Sequence, residues 1–257
     1  MSALQQHFVL VHGAGHGAWC WFKLRPLLQN SGHKVSCIDL AGAGINLTDP
    51  NTIVSFHDYN QPLSHFMSCL PPNHKVVLVG HSAGGLSLTQ ALHEFADKIS
   101  VAIFLAATML PFGFLTEEDM TDVVADLSEY GDVYEMYYGM GPENPPTSLK
   151  LKEEFQREVL YHMSPVEDSI LASMLMRPSP SMAFKTAKFL GGEEDINKVR
   201  RVYIKTMHDR MVKTEQQENM IRKWPPSEVM TIGTDHSAFF SAPEELCSLI
   251  LKASTSI

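Results

Sequence analysis

Over the first 110 residues the apolar positions follow two alternating periods. Residues 7–12, 34–40, 75–79 and 99–107 are short apolar runs with the length and composition of buried strands. Between them, residues 17–29, 58–69 and 84–96 carry the spacing of helices. This βαβ repetition predicts a parallel sheet with helices on both faces. The run 99–107 is apolar almost throughout, so that strand should be buried on both sides. From residue 111 to 200 the alternation stops and gives way to acidic helical pieces, a Tyr/Met/Gly segment (134–140) and a Pro-rich stretch (142–146). It resumes with a strand at 201–206, a helix at 215–221, a strand at 228–232 and a helix from 244. The expected organisation is an α/β core of residues 1–110 and 201–257, with a lid inserted at 111–200 over the active edge of the sheet.

Composition narrows the partners. The 257 residues carry a formal charge of −9 with only 20 Lys plus Arg, which argues against nucleic acid or an anionic membrane surface. Cys20, Cys37, Cys69 and Cys247 are widely spaced and form no C-x-x-C pair, so most of them read as small buried residues of a reducing compartment. The first residues run straight into a strand without a signal-like pattern, and the expected location is cytoplasmic.

The chemistry begins at Gly80-His81-Ser82-Ala83-Gly84, a G-x-S-x-G directly after an apolar strand and before a helix. That context suits a nucleophile elbow, in which a sharp turn lifts a serine hydroxyl into a cleft. Serine is a weak nucleophile alone and needs a histidine base oriented by an acid. Asp209 follows the strand at 201–206 and His236 follows the strand at 228–232, so all three fall at the carboxyl edge of a parallel sheet. Among the 12 histidines, His81 is expected to pack into the sheet, and His208 neighbours Asp209. Asp235 is the rival acid, but an adjacent side chain usually points away from His236. His12 and His16 are four apart, yet a glycine-rich loop offers no third ligand, and no metal or other cofactor is expected. The oxyanion donors should be the amides of Ala83 and Ala14.

One rival reading uses the same loop. Gly13-x-Gly15-x-x-Ala18, with Asp39 ending the next strand, spells a dinucleotide fingerprint. It leaves Ser82, Asp209 and His236 without a role.

In combination, HFVLVHGAGHGAWCWFKLRPLL, VVLVGHSAGG, GPENPPTSL, RVYIKTMHD and TDHSAFFSAPEEL resemble the plant methylesterase group of the α/β-hydrolases across nearly the whole chain. The resemblance implies an α/β-hydrolase fold with a lid, a catalytic Ser82, Asp209 and His236, and hydrolysis of a methyl ester through an acyl-enzyme. It also implies a small-molecule ester as partner, with a homodimer left open. Gly13, His16, Phe104 and Leu105 are the expected substrate-binding positions. Hydroxynitrile lyases of the group typically have Thr or Asn in place of Gly13, and many have Lys in place of Ser237. Both departures favour the esterase. The His-Ser-Ala-Phe-Phe ending looks closer to jasmonate or indole-acetate methyl esterases than to salicylate ones. Cyanohydrin cleavage and a small-ligand receptor on the same fold stay open as alternatives.

Overall fold

The computed structural model describes residues 5–255. Six strands form one parallel sheet: β1 (His7–Val11), β2 (Lys34–Ile38), β3 (Val76–His81), β4 (Ile99–Leu105), β7 (Arg200–Thr206) and β8 (Glu228–Ile232), in the order β2-β1-β3-β4-β7-β8. Helices α1 (Leu24–Asn30), α2 (Phe56–Ser68) and α3 (Gly84–Phe95) connect the first half, and α9 (Thr214–Lys223), α10 (Ala238–Ser241) and α11 (Pro243–Thr255) complete the second. Alternate strand residues feed two cores: Val9, Leu78, Ala102 and Phe104 pack on one face, and Leu10, Val79, Ile103 and Leu105 on the other. Both faces are covered because every connection between parallel strands must cross over the sheet.

The helix expected at 17–29 is broken. Residues Ala18–Trp21 form a 3₁₀ turn and α1 starts only at Leu24. The Asp39 carboxylate accepts the Ala18 amide at 2.6 Å and the Ile45 amide at 3.3 Å, which pulls the start of this segment toward the loop after β2. The acid that a dinucleotide fingerprint would assign to a ribose is thus engaged by backbone.

Between β4 and β7 the chain leaves the sheet to form α4 (Glu117–Val123), the antiparallel hairpin β5 (Tyr134–Tyr137) and β6 (Ser148–Leu151), and helices α5 (Glu153–Leu160), α6 (Val166–Leu175), α7 (Ser181–Lys185) and α8 (Glu193–Lys198). The Tyr/Met segment is therefore partly a strand, and the Pro-rich stretch lies in the connection to its partner. Among the described residues no helix is long and apolar enough to cross a membrane.

Candidate active site

Ser82 sits directly after β3 with φ at +54°, in the left-handed region that a residue with a side chain rarely occupies. Backbone bonds hold it there: its amide donates to the Leu105 carbonyl at 3.2 Å, and its carbonyl accepts the amides of Thr108 at 2.9 Å and Gly85 at 3.0 Å. The turn is tight because a Cβ on Gly80 would lie 2.5 Å from Leu88, and one on Gly84 would lie 2.6 Å from the His12 carbonyl oxygen. These two glycines let β1, β3 and α3 approach closely enough to form the elbow.

Asp209 follows β7, and its carboxylate is fully engaged. Oδ1 accepts the amides of Met211 and Val212, each at 2.8 Å, and Oδ2 accepts Thr206 Oγ1 at 2.8 Å and His236 Nδ1 at 2.7 Å. His236, 1% exposed on the loop after β8, therefore carries its proton on Nδ1, which leaves Nε2 as the ring nitrogen without a proton. Its carbonyl accepts from His81 Nε2 at 2.9 Å, and the two rings lie 4.5 Å apart. Burial, followed by the neighbouring histidines His236 and His16, holds His81 well below the ordinary histidine range, so it stays neutral. The flanking residue that the sequence assigns to packing is also a hydrogen-bond donor that fixes the histidine loop.

The loop after β1 brings Ala14 to the same place. Among the described residues no protein acceptor engages the amide of Ala14 or of Ala83. His12 donates Nδ1 to the Gly13 carbonyl at 2.8 Å and accepts the Leu40 amide on Nε2 at 3.1 Å. His16 donates Nδ1 to the Ala14 carbonyl at 3.0 Å and accepts the Tyr161 hydroxyl on Nε2 at 2.7 Å. Both nitrogens of each ring are thus spent on protein partners, and both histidines brace the loop. Burial is the main cause that pulls His16 down to about 3.

Ser82, Ala83, Ala14, His16 and His236 open onto one cavity of about 320 Å³. Its walls are mostly apolar, with Leu86 from α3, Met211 and Val212 from the loop after β7, and Phe114, Val123, Leu149, Leu160, Met176 and Phe184 from the segment between β4 and β7.

Three expected positions differ. Phe104 and Leu105 do not line this cavity: both are fully buried in β4, with Phe104 against Trp224 at 6.2 Å between ring centroids and Leu105 in the core of the opposite face. A central parallel strand spends both faces on helices, and the site begins only past its carboxyl end, at Thr108. Gly13 is likewise not on the cavity wall. A Cβ there would lie 2.7 Å from Ser82 Cβ and 3.0 Å from His81 Nδ1, so Gly13 makes room for the serine's stem.

The alpha/beta hydrolase family matches residues 8–249. By sequence the chain is 51% identical to Methylesterase 17 of Arabidopsis thaliana, over 98% of this chain and 92% of that protein. It is 48% identical to pheophorbidase of Raphanus sativus, over 96% of this chain and 93% of that protein. The crystal structure of the methylesterase protein MES16 from Arabidopsis superposes with a TM-score of 0.86 at 44% identity, covering 96% of this chain and 98% of the other.

Proposed function

Because this chain belongs to the alpha/beta hydrolase family and within it to the plant methylesterases, and is therefore a carboxylic ester hydrolase, we propose that it cleaves methyl esters of small apolar acids by an acyl-enzyme route at Ser82. The observation that carries this reading is the Asp209–His236 bond of 2.7 Å beside Ser82 on one cavity floor.

In the first half-reaction Ser82 Oγ attacks the ester carbonyl carbon while His236 Nε2 takes its proton. Negative charge on the former carbonyl oxygen falls to the amides of Ala14 and Ala83, preorganised donors of the kind that stabilise a tetrahedral intermediate. As the intermediate collapses, His236 returns the proton to the departing methoxy oxygen and methanol leaves. Water then adds to the acyl-serine with His236 again as base, and the free acid is released with Ser82 restored. Asp209 keeps the tautomer and stabilises the imidazolium at each step.

For the acyl group, methyl jasmonate and methyl indole-3-acetate are favoured over methyl salicylate. Support comes from the apolar cavity of about 320 Å³ and from the His236-Ser237-Ala238-Phe239-Phe240 ending. The cavity volume favours such acids over the tetrapyrrole that the name of the pheophorbidase relative suggests. Gly13 and Ser237 weigh against the cyanohydrin reaction, since Ser237 brings no positive charge for cyanide.

The test is kcat/KM across the three methyl esters and a pheophorbide methyl ester, with cyanide release from mandelonitrile as a control. Turnover of the first two esters above the others is expected. A preference for the tetrapyrrole, or cyanide release above background, overturns the assignment, and ligand retention after one turnover without product release identifies a receptor instead.

A further inference from the structure

Asp235 is fully buried, next to His236 in sequence, and is not used by the chemistry above. Its Oδ2 accepts the Met163 amide and the Ser164 hydroxyl, both at 2.9 Å. Its Oδ1 accepts the Ser237 amide at 3.1 Å and the Ser241 hydroxyl at 2.8 Å. One oxygen therefore holds a turn of the lid, and the other holds the start of α10 directly after the histidine. A buried carboxylate is costly unless such donors satisfy it, and simple packing at this position would be served better by an apolar side chain.

His236 is thus restrained from three directions: its ring by Asp209, its carbonyl by His81, and the flanking backbone by Asp235. The third restraint is shared directly with a lid turn, at Met163 and Ser164. The same lid turn begins with Tyr161, whose hydroxyl binds His16 on the oxyanion loop. One short lid segment therefore reaches both the loop that would hold the oxyanion and the loop that carries the base.

We propose that Asp235 is a positioning residue that latches the lid turn at 161–164 to the His236 loop, so that seating of the lid sets the orientation of the base toward Ser82. This rests on the reading of His236 as the general base. Displacing a catalytic group by small amounts through a remote bond is enough to reduce turnover substantially. Ser164 and Ser241 mark the two sides of the latch, and neither lines the cavity.

The experiment uses the full chain with 4-nitrophenyl acetate as probe, comparing wild type, Ser164→Ala, Asp235→Asn and the double variant at a temperature where all are folded. Ser164→Ala should lower kcat about tenfold with KM within about twofold. Asp235→Asn should lower kcat further, since an amide cannot accept on both sides. The double variant should match Asp235→Asn alone, because Ser164 acts through that carboxylate. The downfield proton resonance of His236 Nδ1 should move in Ser164→Ala, which a purely structural bond would not cause. If Asp235→Asn does not fold, Ser241→Ala takes its place in the cycle, with a coupled rather than additive loss expected. A folded Ser164→Ala with wild-type kcat and an unmoved resonance overturns the proposal, as does a double variant equal to the product of the singles. Failure of the base assignment shows separately, as His236→Ala retaining wild-type turnover of the same probe.

Discussion

The hydroxyl of Tyr161, directly after α5, lies 2.7 Å from Nε2 of His16 on the loop after β1. The direction of this bond is fixed. His16 spends its proton on the Ala14 carbonyl, and burial raises the Tyr161 phenol well above its ordinary value, so tyrosine donates and neutral histidine accepts. Tyr161→Phe leaves a buried nitrogen without a donor, which costs roughly 1–3 kcal/mol. Denaturant unfolding should show that loss, and kcat should fall with it as the Ala14 loop loosens. An unchanged midpoint would mean that water or a side-chain shift satisfies His16 equally well.

Ser82 joins reactivity to strain. Removing the hydroxyl in Ser82→Ala should cost roughly 10⁶-fold in turnover, as for a serine nucleophile acting with its base elsewhere. The backbone remains at φ +54°, however, where any Cβ is disfavoured. Ser82→Gly should therefore be as inactive as alanine and more stable than it, by up to about 1 kcal/mol after the entropy of glycine is counted. Thermal unfolding of the two variants side by side decides this, and a lower Tm for glycine would show that the bonds from Leu105, Gly85 and Thr108 relieve the turn fully.

Asp209 offers a sharper test of roles. Asp209→Asn keeps the shape but must turn an NH₂ toward donors on one side or the other. If it faces His236, the imidazole is driven to the tautomer with its proton on Nε2 and is lost as a base. If it faces the amides of Met211 and Val212, two short backbone bonds are lost. The first outcome predicts a fall in kcat of about 10⁴-fold with KM little changed, in line with the same substitution in another serine hydrolase. Steady-state kinetics at saturating ester checks it, and a loss under tenfold with unchanged thermal stability, which fits neither orientation, would argue against a catalytic role for Asp209.

The sequence made the sheet legible because parallel strands buried on both faces are continuous apolar runs, and β1, β3 and β4 are such runs. The order of Ser82, Asp209 and His236 along the chain, each at a strand end, was readable for the same reason. The hairpin β5–β6 was not, since Glu135 and Met136 are both exposed and Leu149 and Lys150 both half-buried, with no clean alternation of buried and open positions. Phe104 and Leu105 were placed in the pocket because position along β4 is visible in the sequence whereas the height at which the cavity begins is not. Tyr161, Asp235 and the donor role of His81 lay beyond reach because their partners are 145, 71 and 155 residues away. Only tertiary placement brings those pairs together.

The buried histidines also set how stability depends on pH. His7, 4% exposed, is hydrogen-bonded to His74 at 2.9 Å and Ser36 at 2.9 Å, and burial, then the charge of Lys34, pulls it down from 6.5 to about 4. His16 is pulled down to about 3. Both folded values lie below the unfolded one, so between about pH 6.5 and 4 the unfolded chain binds protons that the folded chain refuses. The slope of stability against pH is then positive: the contribution is complete above 6.5 and is lost as pH falls from there toward the folded values. Tm should accordingly decline steadily from pH 7 to 5, a window above the ordinary carboxylate range. His7→Gln, which keeps a hydrogen-bonding side chain but cannot titrate, should give a shallower decline over the same window. Calorimetric scans at half-unit steps measure both, and equal slopes for the variant and wild type would remove His7 as a source of the acid sensitivity.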